Sequence, residues 1–339
     1  MNCRSVFQTT ALGWSLLLPI AVQAGDWPQW RGPNRDGAWN ETGIMESFPP
    51  GGLKISWRAP VGRGWSSPVV AQGRVYITDV ELVGPTARER VLCFAEATGK
   101  LLWSHRYAVD YPDWAFDPNA GGPRATPIIR DGKLFTLGAL DHLFCLDAVR
   151  GEVVWQKNLA KEYQVKEFTG ITASPLIEDE LLILQICAKP AACVVAFDKN
   201  SGKEAWKALD DSFLSNTSTA LLRGEHAFSA KTSGELVCLE AGTGKEVWQT
   251  NTVTSLKNGS SIHLTPNGDS VLLFTDQGNL IRARLSSAGY RELSRVHLLD
   301  PTYPFNGRNV VWPPPAYAHR HVFARNDKEL ICALLAAEP

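Results

Sequence analysis

The 339 residues include only two methionines and no two cysteines side by side, and 34 basic residues are balanced by 35 acidic ones. A formal net charge of -1 leaves no long-range field for nucleic acid or an anionic membrane. Beyond residue 24 no apolar run approaches the ~20 residues of a membrane-crossing helix. Helical periodicity is scarce as well. Apolar residues alternate in short runs between Gly, Asp and Asn, as in antiparallel strands.

What the chain does have is tryptophan, twelve in all. Its first 24 residues read as a secretory signal peptide. Arg4 precedes the apolar stretch "ALGWSLLLPIAV" (11–22), and "VQA" offers small residues for cleavage after Ala24. A lipid anchor would need Cys at the next position, where Gly25 stands. The expected mature protein is secreted or periplasmic, with a lead-in over 25–52 and a single domain over 53–339.

A motif recurs through that domain: "ATGKLLW" (97–103), "VRGEVVW" (149–155), "NSGKEAW" (200–206) and "GTGKEVW" (242–248). Each copy closes a unit of three or four short strands. A fifth unit (262–293) has Leu293 in the Trp place, and a sixth (313–335) stops before its turn. Steps of about 40–50 residues suit one four-stranded propeller blade. The orphan "GLKISWRAPVG" (52–62) holds Trp57 where a fourth strand would place it. The expectation is an all-β propeller of four-stranded antiparallel blades, six in number, with seven or eight as the other counts. Lys54–Arg58 would complete the last blade beside Glu329–Leu335, leaving no free sheet edge. The Gly supplies a positive φ for the turn. Trp57, Trp103, Trp155, Trp206 and Trp248 are expected as wedges between blades.

Units of this form, best seen in "LFCLDAVRGEVVW" and "VVAFDKNSGKEAW", resemble the pyrroloquinoline-quinone-type (PQQ-type) propeller repeat of secreted bacterial proteins. The lead-in "DWPQWRGPNRDG" (26–37) is similar to theirs. The resemblance implies one of two functional classes. One is a non-catalytic scaffold, like the propeller lipoprotein of the outer-membrane β-barrel assembly machinery. The other is a PQQ- or metal-dependent oxidoreductase with calcium. Those dehydrogenases carry an adjacent Cys–Cys disulfide that this chain lacks, so the expectation is no cofactor, with PQQ and calcium as the alternative.

Cys93, Cys145, Cys238 and Cys332 share one third-strand place with Ala196, which marks a small buried slot. Cys187 and Cys193 in "CAKPAAC" flank a hairpin turn and are expected to form a disulfide. Asp110, Asp113, Asp117 and Asn119 offer too few oxygens for calcium, and the loop reads as solvated. His319 and His321 fall on a turn and are expected to be exposed, with no third zinc ligand. Ser66 and Ser67 lack a His–Asp pair.

What remains is the loop-rich side of the ring. There Arg63, Trp65, Trp114, Phe116, Arg124, Phe168, Tyr303, Arg308 and Trp312 combine aromatic and Arg side chains, the residues of interface hot spots. The expected function is binding of a protein, peptide or glycan on this side, with no nucleic acid partner and no membrane insertion.

Overall fold

The computed structural model describes residues 25–83, 86–111, 122–140, 142–165, 172–190, 192–208, 221–231, 233–240 and 245–337. They form six antiparallel sheets of four or five strands and one separate hairpin. Blade 1 comprises Val69–Ala71, Arg74–Val83, Thr86–Ala95 and Leu101–Val109. Blade 2 comprises Ile128–Arg130, Lys133–Leu137, His142–Asp147 and Val153–Asn158. Blade 3 has Leu176–Glu178, Leu181–Lys189, Ala192–Asp198 and Glu204–Ala208, with the short Gln164–Val165 added. Blade 4 spans Leu221–Thr250 and blade 5 Ile262–His297, four strands each. A single helical turn, Leu159–Glu162, is capped by the Asn158 side chain.

The last blade joins both ends of the described chain. Its inner strands are Ala316–Ala318, His321–Arg325 and Glu329–Leu334, and its outer strand is Ile55–Pro60. Trp57 stands opposite Cys332 and Pro60 opposite Glu329 in that antiparallel ladder. Blade 6 packs on blade 1, blade 1 on 2, 2 on 3 and 4 on 5, while Phe274 and Phe323 share one core across blades 5 and 6. The junction of blades 3 and 4 involves 209–220 and 241–244, outside the described residues.

One row crosses each blade. Tyr76, Cys93 and Trp103 are successive partners in blade 1, as are Phe135, Cys145 and Trp155 in blade 2. Phe228–Cys238–Trp248 and Phe323–Cys332–Trp57 repeat it. The middle member is small because an indole lies beside it. Burial pushes the thiols of Cys93, Cys145 and Cys332 up to about 12, so they act as inert small hydrophobes.

Each Trp reaches into the next blade. Trp57 Nε1 donates to Glu96 O at 2.6 Å, Trp103 to Ala148 O at 3.2 Å, Trp155 to Lys199 O at 3.0 Å and Trp248 to Ser286 O at 2.8 Å. The rings of Trp57, Trp103 and Trp155 then lie on the turn glycine of that blade, Gly99, Gly151 and Gly202. A Cβ on Gly99 would come within 2.5 Å of Trp57, and one on Gly151 within 2.5 Å of Trp103. Both glycines also have positive φ, so turn conformation and close approach together demand Gly. Trp206 differs, with its side 40% exposed.

The Trp place of blade 5 needs correcting. A bulge precedes the Trp in the other blades. In blade 5 the bulge falls between Arg282 and Ala283, so the partner of Arg282 is Ser294, not Leu293. The reason lies next door: blade 6 takes its fourth strand from the other end of the chain and has no third-to-fourth turn to receive a ring. Instead, Phe48 N of the lead-in donates to Ser294 Oγ at 2.7 Å. Arg282, 8% exposed, occupies the slot that is Cys or, in blade 3, Ala elsewhere.

The lead-in spreads under the inner strands. Trp27 exchanges backbone hydrogen bonds with Val70, Ile129 N donates to Pro28 O, and Trp39 N donates to Pro266 O. Trp27 and Trp39 pack on Tyr317 at ring separations of 5.8 and 5.2 Å. This cover also changes the histidine turn. His319 is half-buried rather than exposed, its Nδ1 2.6 Å from Glu96 Oε1, and Glu41 accepts from the His319 and Arg320 amides.

Blade 1 is the tallest, and its added height encloses a carboxyl group. Glu89, fully buried, accepts from Tyr107 Oη at 2.5 Å, Tyr111 Oη at 2.6 Å and Ala139 N at 3.0 Å. Burial holds its carboxyl above the usual range. A raised acid means the folded state binds more protons than the unfolded one, so stability falls as pH rises above the ordinary carboxylate value. Glu89→Gln should therefore lose that part of the pH dependence in urea titrations between about pH 4 and 8. Glu89→Ala, which strands three donors, should lose about 2–4 kcal/mol at every pH. Parallel pH profiles for wild type and Glu89→Gln would show that the carboxylate stays ionised.

Candidate binding face at the channel mouth

The six inner strands can be matched through their first turns, where Ala71 pairs with Arg74, Arg130 with Lys133 and Glu178 with Leu181. Arg223 with His226, Asn267 with Ser270 and Ala318 with His321 complete the set. Four residues before each turn stand Ser67, Thr126, Ser174, Thr219, His263 and Pro314, of which Thr219 lies outside the described residues. This layer is stitched laterally. Ser67 N donates to Thr126 Oγ1 at 3.1 Å and Thr126 N to Ser174 Oγ at 3.0 Å. Pro314 has no N–H to continue the pattern. The direction reverses there, and Ser67 Oγ donates to Pro314 O at 2.6 Å. Burial pushes the His263 imidazole down to about 4, and the neutral ring sits 2.7 Å from Trp312 O. Ser67 of "SSP" is thus a ring tie, while Ser66 Oγ donates to Thr78 O at 3.0 Å within blade 1.

Two residues further out lies the mouth layer: Trp65, Arg124, Thr172, Ser261 and Trp312, with Thr217 undescribed. Trp65 meets Trp312 edge-on at 5.1 Å and Tyr303 at 5.0 Å, and the Arg124 guanidinium lies 4.4 Å over the Trp65 ring. Burial lowers the Arg124 pKa, a sign that its charge is largely desolvated.

Tyr303 arrives on the separate hairpin, Tyr303–Phe305 and Arg308–Val310. Its turn is Asn306–Gly307, both at positive φ, the form hairpins favour. That Asn-Gly pair is the sequence signal that would have revealed the hairpin. Phe305 packs on Trp312 at 4.7 Å and sits where a Cβ on Gly259 would collide with it. Arg308 fixes the hairpin from below. It is paired with the fully buried Asp276 and donates to Ser260 Oγ at 3.0 Å.

The candidate residues therefore separate. Trp65, Arg124, Tyr303 and Trp312 come together at the mouth, and Arg308 serves as an anchor beneath it. Arg63 stands apart: its carbonyl accepts from Val80 N at 2.8 Å, and it lines an open recess of about 400 Å³ with Pro60, Glu81, Arg90 and Asp327. Trp114, Phe116 and Phe168 lie outside the described residues, as does the whole of 113–119. Cys187 and Cys193 stand on neighbouring strands beside the Ala188–Ala192 pairing, with side chains outside the described set. Among the described residues no group of three or more His, Cys, Asp or Glu is placed to hold a metal, and no helix is long and apolar enough to cross a membrane.

The outer membrane protein assembly factor BamB of Shewanella oneidensis is 22% identical over 250 residues, 68% of this chain and 58% of that protein. The quinohemoprotein alcohol dehydrogenase of Comamonas testosteroni is 28% identical over 131 residues, 36% of this chain and 18% of the enzyme. The crystal structure of BamB from Moraxella catarrhalis aligns with 87% of this chain and 95% of its own, at 14% identity and a TM-score of 0.33. The chain thus spans little more than half the length of the first relative and under a fifth of the second. The family described as outer membrane protein assembly factor BamB matches residues 87–337, nearly all of the propeller, and the chain belongs to that family.

Proposed function

We propose that this protein is a non-catalytic scaffold of the bacterial envelope that holds a protein partner on its loop-rich face. The partner, by analogy with the family, belongs to outer-membrane protein assembly. The carrying observation is the convergence of Trp65, Trp312 and Tyr303 with Arg124 at the channel mouth. Aromatic and Arg side chains grouped at the centre of a face are what interface hot spots use. The signal peptide read in residues 1–24 would deliver the protein to the periplasm or beyond.

The rival reading is a PQQ-dependent oxidoreductase, favoured by the repeat shared with the Comamonas dehydrogenase. The mouth does not suit that group. Trp65 and Trp312 meet at 81°, leaving no parallel slot for a flat quinone. Four buried acids are already committed: Asp276 to Arg308 and Thr254, Asp79 to Arg90, Glu89 to Tyr107 and Tyr111, and Glu41 to the amides of His319 and Arg320. None of the four is left to ligate calcium, so the reading is one without a resident cofactor.

Affinity capture from envelope extracts tests the scaffold reading. Wild-type protein should retain an assembly component that Trp312→Ala loses by tenfold or more, while Lys100→Ala on the opposite face keeps it. Equal capture by all three, or steady dye reduction with ethanol after adding quinone and calcium, would overturn it.

A further inference from the structure

We infer that the recess at the junction of blades 6 and 1 binds a small aliphatic zwitterion, an α-amino acid or dipeptide. Its carboxylate would meet Arg63 and its ammonium Asp327. The recess stands apart from the channel mouth, and the inference does not rest on the scaffold reading.

The loop "GRG" (62–64) is built to present one side chain. A Cβ on Gly62 would collide with Val80 O, and one on Gly64 would come within 3.1 Å of Thr78 O and Arg325 Nη1. Glycine on both sides lets the loop lie flat on blade 1. Val80 N donates to Arg63 O at 2.8 Å and Gly62 N donates to Asp79 Oδ2, so Arg63 is held through its backbone. Its guanidinium has no hydrogen-bond or ion-pair partner among the described residues. Asp327 joins the recess from a rigid turn. Asn326 Oδ1 accepts from Lys328 N and Glu329 N there, and Asp327 N donates to Thr302 Oγ1. The Asp327 carboxylate accepts only from Gly64 N, at 3.3 Å, among the described residues. Burial lifts it above the usual range, against the pull of Arg325, Gly64 N and Arg63. Arg63 therefore acts on Asp327 through space, yet the two form no ion pair.

The other charges of the recess are spent. Arg90 forks onto Asp79 at 2.8 and 2.6 Å and reaches Glu81 at 3.0 Å. One cation and one anion are left uncommitted in a single recess. A ligand of one sign would answer one of them and desolvate the other without compensation. A zwitterion answers both with charge-assisted hydrogen bonds. Size and lining narrow the class further. The recess of about 400 Å³ lies at the low end of the ~300–1,000 Å³ usual for small-molecule sites. Pro60, Val61, Val80 and Leu82 make up its apolar wall, which suits an aliphatic side chain.

Equilibrium dialysis of the mature protein against radiolabelled leucine and leucyl-leucine provides the test and separates the two sources of the zwitterion. At least one of the two should be retained saturably. The matching N-acetyl form lacks the cation and the matching amide lacks the anion. Each should bind about tenfold more weakly, the cost of one charged hydrogen bond. Arg63→Gln should fold, because the contact that holds Arg63 is its carbonyl, and should no longer distinguish the zwitterion from its amide. Asp327→Asn keeps an oxygen for Gly64 N and should no longer distinguish the zwitterion from its N-acetyl form. Urea titrations check that both variants are folded, and where Asp327→Asn is not, Arg63→Gln decides alone. Retention of neither probe, a singly charged analogue held as tightly as the zwitterion, or discrimination that survives in a folded variant would each overturn the inference.

Discussion

Trp57→Ala is expected to cost about 3–5 kcal/mol of stability, the usual toll for truncating a buried Trp. The ring is 8% exposed, stacks on Phe94 at 6.5 Å, tilts against Phe323 at 6.2 Å and donates to Glu96 O. Its removal opens a void at the junction of blades 6 and 1, where the two ends of the described chain meet. The comparison is Trp206→Ala, whose ring is 40% exposed and should cost about 1 kcal/mol in proportion to the area it hides. Deleting residues 25–58 should do far more. It strips the outer strand from blade 6 and takes Trp27, Trp39 and Phe48 out of the core that blades 5 and 6 share. Against a total of about 5–15 kcal/mol, such a chain should not fold cooperatively. Urea titrations followed by far-ultraviolet dichroism separate the outcomes. Equal losses for the two Trp variants, or a truncated chain melting with the mature one, would remove closure as the source of stability.

The closing strand was legible because the repeat is redundant. A Trp without its blade at one end and a blade without its fourth strand at the other can satisfy each other in one way. The place of Ser294 was not legible. A bulge shifts the pairing by one residue, and only the hydrogen-bonded ladder shows which residue bulges. Leu293 looked right because it is apolar, while the true position is polar, answering a backbone amide rather than a glycine turn. The place of Arg308 was not legible for a related reason. Sequence shows its charge, yet its partner Asp276 lies 32 residues away in blade 5. Trp65 and Arg124 were legible as candidates, being aromatic and basic in loops. Ser261 was not, since a serine before a strand carries no signal until the inner strands are aligned and its hydroxyl is found without a partner.

The second large effect is expected at Arg325, which is fully buried yet carries a guanidinium. Burial lowers its pKa, and Asp327 and Asp79 act in the opposite direction. The group is held by carbonyls from three segments: Asn326 at its own strand end, Thr78 in blade 1 at 2.9 Å, and Gly62 in the loop between blades 6 and 1. One side chain thus stitches together the loop-face end of the same junction that Trp57 seals at the turn end. Arg325→Met keeps most of the volume but strands three carbonyls, so the loss should be about 3–5 kcal/mol, as when one partner of a buried charged network is removed. Arg325→Lys keeps the charge but lacks the planar fork that reaches three acceptors, and should lose about 1–3 kcal/mol. A guanidinium stays protonated across the accessible range, so both losses should be constant from pH 5 to 9, unlike the sloping profile expected at Glu89. A loss from Arg325→Met that vanishes at either end of that range, or stays within ~0.5 kcal/mol throughout, would show that water reaches those carbonyls.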